Sequence, residues 1–230
     1  MGAGGRGALS ERTWIAVADR RVGLLGGTFD PIHYGHLAIA DEVAEALRLD
    51  RVYFIPAARP PHKLDLQISS AVDRAAMVEA AIVDNPRFRF CSIELEREGP
   101  SYTVDTLEAL ANEADSSGIA REFFFILSSE AAAALPTWHA PARILELARL
   151  AVVPRPDSPM PDGGLLTAQL NAAGDRVLTI DTLPLTHSAS RIRRRVAAGM
   201  SIRYLVPPAV ETHIADHRLY LSTKPTEDAK

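Results

Sequence analysis

Val22-Gly-Leu-Leu-Gly26-Gly27-Thr28-Phe29-Asp30-Pro31-Ile32-His33-Tyr34-Gly35-His36-Leu37 is the stretch that decides how this chain is read. Its opening run, Val22 to Gly26, is short and apolar, the pattern of a strand buried on both faces. A helix is expected from about Gly35 to Leu47. Between them, Gly26 and Gly27 allow the backbone to approach a ligand closely, and Thr28 adds a hydroxyl and an amide. The helix that follows presents unpaired N–H groups and the positive end of its dipole, so the junction is an anion site. His33 and His36 are three apart at the helix start, so both rings share a face and point toward the same anion. Gly35 between them removes a side chain where a ligand could lie against the helix. The segment is neither a Gly-Lys-Ser/Thr phosphate loop nor G-x-G-x-x-G. Two histidines at this spacing are often surface decoration; their place after a first strand and a Gly-Gly-Thr turn makes them candidates.

Working outward, apolar runs alternate with helical segments. Strands are expected at Val52 to Pro56, around Phe88 to Ser92, Glu122 to Leu127, Leu150 to Val153 and Val177 to Ile180. Helices are expected over Ala71 to Asp84, Thr103 to Glu113 and Ala140 to Ala148, with one after the Pro/Gly-rich loop Arg155 to Gly164. Two closing helices start near Ser188 and Pro208. Strands separated by helices of ten or more residues indicate parallel βαβ units, so the fold class is α/β, a doubly wound parallel sheet with C-terminal helices. Ligands of such sheets bind beyond the carboxyl ends of the strands, where strand order reverses. The expected division is a flexible leader over 1–20, one domain over 21–217 and a tail over 218–230. The leader's Gly2-x-Gly4-x-x-Gly7 is a chance match, because no strand precedes it and no helix follows.

Composition narrows the class. The chain has 230 residues, a formal net charge of −4 and one cysteine, Cys91. A chain of this length buries on the order of 70% of its unfolded surface and needs no disulfide to hold a core. A single cysteine excludes Cys-rich zinc modules and fits a reducing cytoplasm. The longest uncharged stretches, such as Ala131 to Ala142, fall short of the roughly 18 apolar residues of a membrane span. Mild acidity argues against nonspecific nucleic-acid binding. A soluble cytoplasmic protein acting on neither membrane nor nucleic acid is expected, and its oligomeric state stays open. All basic residues except Lys63, Lys224 and Lys230 are arginine, which reads as coding bias, so a functional arginine needs positional support. His213 and His217 lie four apart on the last helix, but no third ligand is placed by sequence. They read as surface residues, and no protein-held metal is expected.

Four further segments join the first. Pro60-Pro61-His62-Lys63 follows the second strand, Ser101-Tyr102-Thr103-Val104-Asp105-Thr106-Leu107 opens a helix, Leu135-Pro136-Thr137-Trp138-His139 follows the fourth strand, and His187-Ser188-Ala189-Ser190-Arg191-Ile192-Arg193 opens the penultimate helix. Together with the Gly26–His36 stretch they resemble the HxGH nucleotidyltransferases, and among these the bacterial nicotinate-nucleotide adenylyltransferases. The Ser-Tyr-Thr-x-Asp-Thr-Leu segment is the most discriminating. The resemblance covers about residues 21–217. It implies a Rossmann-like fold and adenylyl transfer from ATP to nicotinate mononucleotide, giving deamido-NAD and pyrophosphate in NAD biosynthesis. Mg²⁺ would arrive with ATP, held mainly by phosphates and water.

The resemblance also distributes roles. His33, His36, Lys63 and Arg193 would act on the phosphates. Gly26, Gly27, Thr28, Gly35, Glu130, Ser188 and Ser190 would bind ATP, with Ser188 as helix cap. Tyr102, Thr103 and Trp138 would hold the nicotinate ring. Arg191, Arg194 and Arg195 read as a solvated face. The chain departs from the family at Ser128-Ser129-Glu130, where Gly-x-Asp is usual, and at His187 and Ala189, where Ile and Ser are usual. Glu130 would then have to reach the ribose, and Ser128 would crowd the nucleotide. These departures leave two other readings open: a nucleotide-binding regulatory paralogue with weakened catalysis, and transfer to nicotinamide mononucleotide.

Overall fold

The computed structural model describes residues 13–60, 68–155, 158–170, 175–183 and 187–221. Strands β1 (Arg21–Gly27), β2 (Arg51–Pro56), β3 (Phe88–Phe90), β4 (Glu122–Ser128), β5 (Arg149–Val153) and β6 (Val177–Thr179) form one sheet in the order β3-β2-β1-β4-β5-β6. Every pairing between neighbours is parallel. The helices are α1 (Tyr34–Ala46), α2 (Ala71–Ile82), α3 (Thr103–Ser116), α4 (Ser129–Ala134), α5 (Pro141–Leu147), α6 (Gly163–Gln169), α7 (Ala189–Ala197) and α8 (Pro208–Asp216). The expected α/β class and strand positions agree with this architecture. The short helix α4 was not foreseen; it follows directly on β4 and is too brief to give a period.

Alternation along the strands explains the double winding. Val22 and Leu24, Tyr53 and Ile55, Phe123, Phe125 and Leu127 project to one face, where they pack with Val104, Leu107 and Leu110 of α3 and Ile144 of α5. Their neighbours Leu25, Val52, Phe54, Phe124 and Ile126 project to the other face, against Val43 of α1, Met77 and Val78 of α2, and Val210 and Ile214 of α8. A strand buried on both sides must be apolar at successive positions, which is the run seen in sequence. Strand order turns back between β1 and β4, so their carboxyl ends, Gly27 and Ser128, flank the crevice where such folds bind ligands.

Both ends of the domain extend further than the sequence suggested. Residues 13–20 were assigned to the leader, yet Ile15 is fully buried among the α3 face residues. The Trp14 N–H donates to Glu113 at 2.8 Å and the Ala16 N–H to the Tyr53 hydroxyl at 2.9 Å. Arg121, paired with Glu113 at 3.0 Å, donates to the Ile15 carbonyl at 2.9 Å. Trp14 and Ile15 are too few to show a period, but they cap an otherwise open edge of the core. At the other end, Leu219 and Tyr220 fold back onto the α1/α2/α8 face and are not a detached tail. No helix among the described residues is long and apolar enough to cross a membrane.

Candidate active site

Two clefts open at the switch point. One, of about 540 Å³, lies on the α3 side; the other, of about 360 Å³, lies against the starts of α1 and α7. Gly26, Phe125 and Trp138 line both, so the clefts meet over the end of β1. Two molecules held in them would face one another at Gly26.

The smaller cleft is built for an anion. His33 is the N-cap of α1, and its N–H donates to Nδ1 of His36 at 3.3 Å. With Nδ1 accepting, a neutral His36 ring carries its hydrogen on Nε2. The two rings stack with centroids 3.7 Å apart, and His187 stacks on the far side of His33 at 6.0 Å. Phe29 packs edge-on to His36 with centroids 5.1 Å apart. Phe29 holds that position from a left-handed backbone conformation (φ 49°), unusual for a bulky residue and a mark of local constraint. Gly35 is squeezed: a Cβ there would stand 3.0 Å from His187 Cβ and 3.1 Å from the His33 ring. Its hydrogen therefore makes room for the imidazoles, and Gly35 also lines the cleft, where the sequence suggested room for a ligand.

Charge in this cleft is one-sided. Arg155 and Arg193 line it and, among the described residues, no Asp or Glu does, although the chain as a whole carries a net charge of −4. Burial, then the neighbouring His187 and Arg155, push His33 down to about 3, so its ring is neutral at neutral pH. Among the described residues, Nδ1 of both His33 and His187 is buried without a hydrogen-bond partner. Two orphaned buried ring nitrogens beside two guanidinium groups describe a site shaped for a polyanion. Ser188 is the N-cap of α7, but its hydroxyl makes no capping bond. Ser188, Ser190 and the α7 start therefore face the cleft as donors.

The loop carrying Thr28 is held from behind by a residue the sequence reading missed. Arg74 is 1% exposed and donates to the carbonyls of Thr28 (2.8 Å), Ala57 (2.7 Å), Ala58 (3.3 Å) and Ser69 (3.1 Å). The Thr28, Ala57 and Ala58 carbonyls lie past the ends of β1 and β2 and that of Ser69 just before α2, and a buried guanidinium supplies the donors. The available signal was spacing: Arg74 precedes Met77 and Val78 by three and four on the apolar face of α2. Asp30 was also missed. Its main-chain carbonyl accepts from Arg193 at 2.6 Å, and its carboxylate accepts from the Tyr220 hydroxyl at 2.7 Å.

The larger cleft is a flat aromatic slot. Tyr102 and His139 pack with ring centroids 4.7 Å apart, and Trp138 stands edge-on to Phe125 at 6.2 Å. Tyr102 caps α3, so the amides from Thr103 onward open toward the slot. Glu94, 8% exposed, accepts from Thr106 Oγ1 at 2.8 Å, and Arg97 bridges Thr106 Oγ1 (3.1 Å) and the Tyr102 carbonyl (3.3 Å). Burial raises the Glu94 carboxyl above its ordinary range. This network fixes the start of α3.

Most candidates from sequence converge here. Gly26, Gly27, Thr28, Tyr102, Thr103 and Trp138 line the larger cleft, and Gly26, His33, Gly35, His36, Ser188, Ser190 and Arg193 the smaller. Lys63 lies outside the described residues. Glu130 is the exception: it is exposed, lines neither cleft, and pairs with Arg155 at 3.6 Å. The reason is α4, which begins at Ser129 and carries Glu130 outward in its first turn. Ser128 does not obstruct by its hydroxyl, which caps α4 by accepting from the Ala131 N–H at 3.2 Å. Ser129, fully buried, donates to the Ser158 carbonyl and accepts from the Arg155 N–H, which anchors the loop bearing Arg155. Arg191 and Arg194 are exposed as expected, whereas Arg195 donates to the Ser201 carbonyl at 2.8 Å.

A Rossmann-like sheet with paired imidazoles at the first helix start defines a nucleotidyltransferase class, and residues 24–195 match the cytidylyltransferase-like family. At finer grain the chain belongs to the nicotinate-nucleotide adenylyltransferases. A relative from Thermomicrobium roseum, named "Probable nicotinate-nucleotide adenylyltransferase", is 44% identical over 87% of this chain and 91% of its own. One of the same name from Roseiflexus sp. is 46% identical over 86% of this chain and 97% of its own. The Plasmodium falciparum nicotinic acid mononucleotide adenylyltransferase, solved with NaAD, shares the fold at a TM-score of 0.70 and 16% identity, over 87% of this chain and 97% of that one.

Proposed function

We propose that this protein transfers the adenylyl group of ATP to nicotinate mononucleotide, forming deamido-NAD and releasing pyrophosphate. The observation that carries the reading is the pair of clefts, one anionic and one aromatic, meeting at Gly26. Curated relatives over most of the chain bear the name of this activity.

In the reaction an oxygen of the mononucleotide phosphate bonds to the α-phosphorus of ATP, and the bond from that phosphorus to the β-bridging oxygen breaks. The nucleophile is already an anion, so no general base is needed. Catalysis is in-line positioning and stabilisation of charge that grows on the α-phosphate and the departing pyrophosphate. His36, with its hydrogen on Nε2, donates to the phosphates beside His33. Entry of the triphosphate draws a proton onto the His33 imidazole, which burial keeps neutral in the free protein. Arg193, Ser188 and Ser190 take the outer phosphates at the α7 start, and Arg155 adds a second guanidinium. Thr28 binds the phosphates at the end of β1. Lys63 contributes a further cation to either phosphate group.

The ring of the mononucleotide lies in the aromatic slot between Tyr102, His139 and Trp138. The amides of Thr103 and its successors receive the ring carboxylate at the positive end of α3. With no carboxylate lining the phosphate cleft among the described residues, the donor set suits a divalent cation carried by ATP phosphates and water. Mg²⁺ would be that ion, and it would supply neutralisation of the phosphates. The exposed, outward position of Glu130 leaves the ribose contact to other groups.

The deciding experiment is pyrophosphate release with ATP and Mg²⁺, comparing nicotinate with nicotinamide mononucleotide. Turnover with a preference for the acid is expected. Absence of turnover with either, while ATP still binds, would overturn the reading and favour a nucleotide-binding regulator. Preference for the amide would reassign the substrate.

A further inference from the structure

Behind α2, on the face of the sheet away from the aromatic slot, a second group of ionisable side chains comes together. His213 and His217 lie four apart on and just beyond α8, and their rings stack with centroids 4.0 Å apart. Asp73, in the first turn of α2, reaches them from across the packed helix pair, with Oδ1 3.1 Å from His213 Nε2. His213 is not the exposed residue expected from sequence; its side chain is 16% exposed and that of Asp73 21%. One ligand atom from each of the three lies within 4.8 Å of the others.

Local hydrogen bonds prepare the donors. His217 Nδ1 lies 3.1 Å from the His213 carbonyl, which can only accept, so Nδ1 carries the hydrogen and Nε2 keeps its lone pair outward. A bond from the far ring nitrogen to a backbone carbonyl is the support that metal-binding histidines usually have. The other oxygen of Asp73 accepts from the Ser70 hydroxyl at 2.6 Å, which orients the carboxylate toward the histidines. The same hydroxyl accepts from the Asp73 N–H and caps α2, so the carboxylate sits on a rigid helix start.

We propose that Asp73, His213 and His217 form a binding site for a borderline divalent transition ion, Zn²⁺ or its analogues Co²⁺ and Ni²⁺, that clamps α8 to α2. Two imidazoles and one carboxylate are the ligand types such ions prefer over Mg²⁺ or Ca²⁺, which take oxygen donors. Zinc bonds of about 2.0–2.1 Å place tetrahedral ligand atoms roughly 3.4 Å apart, so the widest pair must close by roughly 1–1.5 Å. His217, the exposed member of the three, makes that movement against its ring stacking on His213 and its 3.1 Å contact with the His213 carbonyl. A fourth position is left to water. The ion would be structural in effect: it ties the last helix to the body just before the chain reaches Tyr220, and it is separate from any Mg²⁺ carried by ATP.

The test uses the full chain freed of metal by chelation, without nucleotide. Zn²⁺ titration by calorimetry and Co²⁺ titration by visible absorption are run on the wild type, His217→Ala, and Asp73→Asn. One tight equivalent, the intense d–d bands of Co²⁺ in a four- or five-coordinate site, and a rise in Tm with Zn²⁺ are expected for the wild type. His217→Ala, at an exposed position, should keep its fold and lose at least about tenfold in affinity, with Asp73→Asn similar. Unchanged affinity in both variants would overturn the proposal and place the ion on other histidines, such as His33 and His36. No saturable binding to the wild type would overturn it outright. Neither result bears on adenylyl transfer, which is read separately by pyrophosphate release.

Discussion

The hydroxyl of Tyr220 donates a 2.7 Å hydrogen bond to the carboxylate of Asp30, 190 residues earlier in the chain. Asp30 is 3% exposed, and its main-chain carbonyl takes the guanidinium of Arg193 at 2.6 Å. The end of the described chain, the loop after β1 and the cleft-lining arginine of α7 therefore share one buried residue. Tyr220→Phe should destabilise the protein by about 1–3 kcal/mol, the scale of leaving a buried charged acceptor short of its donor. It should also weaken ATP binding through Arg193. Urea unfolding and the KM for ATP check both, and unchanged values in the variant would show that Asp30 is held adequately without Tyr220.

His36 presents a hydrogen-bearing Nε2 because its Nδ1 accepts from the His33 main chain. His36→Ala should lower kcat at least about a hundredfold, the scale of losing a positioned donor to developing charge. Stopped-time pyrophosphate release measures it. Turnover near that of the wild type would remove His36 from the chemistry.

The acid sensitivity of the fold should carry the mark of His33. Its imidazole takes up a proton near pH 6.5 in the unfolded chain but only near pH 3 when folded, because burial opposes the charge. Between those values the unfolded state binds more protons, so this contribution to stability falls as pH falls from about 6.5 toward 3. His33→Gln should lose less stability than wild type between pH 6.5 and about 4.5, by up to roughly 2–3 kcal/mol. Parallel urea midpoints at several pH values test this; identical slopes would contradict a depressed His33.

Thr106 joins Glu94 to Arg97 beneath the start of α3. Thr106→Val should remove one hydrogen bond from each of these partners and shift Tyr102. The KM for nicotinate mononucleotide is expected to rise roughly tenfold, a loss of about 1.4 kcal/mol, while the KM for ATP changes little. An equal effect on both substrates would point to general loosening of the domain.

Glu130 offers the opposite expectation. Its only described partner is an exposed pairing with Arg155, and such pairs contribute about 0–1 kcal/mol. Glu130→Gln should therefore alter the KM for ATP by less than about fivefold. A loss of a hundredfold would return Glu130 to the ribose.

What could be read from sequence was what local chemistry specifies. Continuous apolar runs gave the parallel sheet, because strands covered on both faces must be apolar at successive positions. The Gly26–His36 stretch singled out the candidate anion site, because its donors and glycines lie close together in the chain. Gly35 was identified, but its neighbours were not: its lack of a side chain admits His187, which is distant in sequence. Arg74 was hidden among many arginines, since the carbonyls it satisfies exist as orphans only after β1 and β2 are paired.

Sequence alone thus determined the class of fold, from apolar runs alternating with helical segments, and the kind of reaction, from short motifs that are each local in the chain; it also singled out the candidate phosphate site within one such motif. The tertiary structure decided the rest. It turned Glu130 outward through an unforeseen helix turn, drew Trp14 and Ile15 into the core, set the neutral state of His33 by burial, and brought Asp73 to His213 and Tyr220 to Asp30. Desolvation and contacts between distant segments arise only when elements pack, and no local pattern of residue types encodes them.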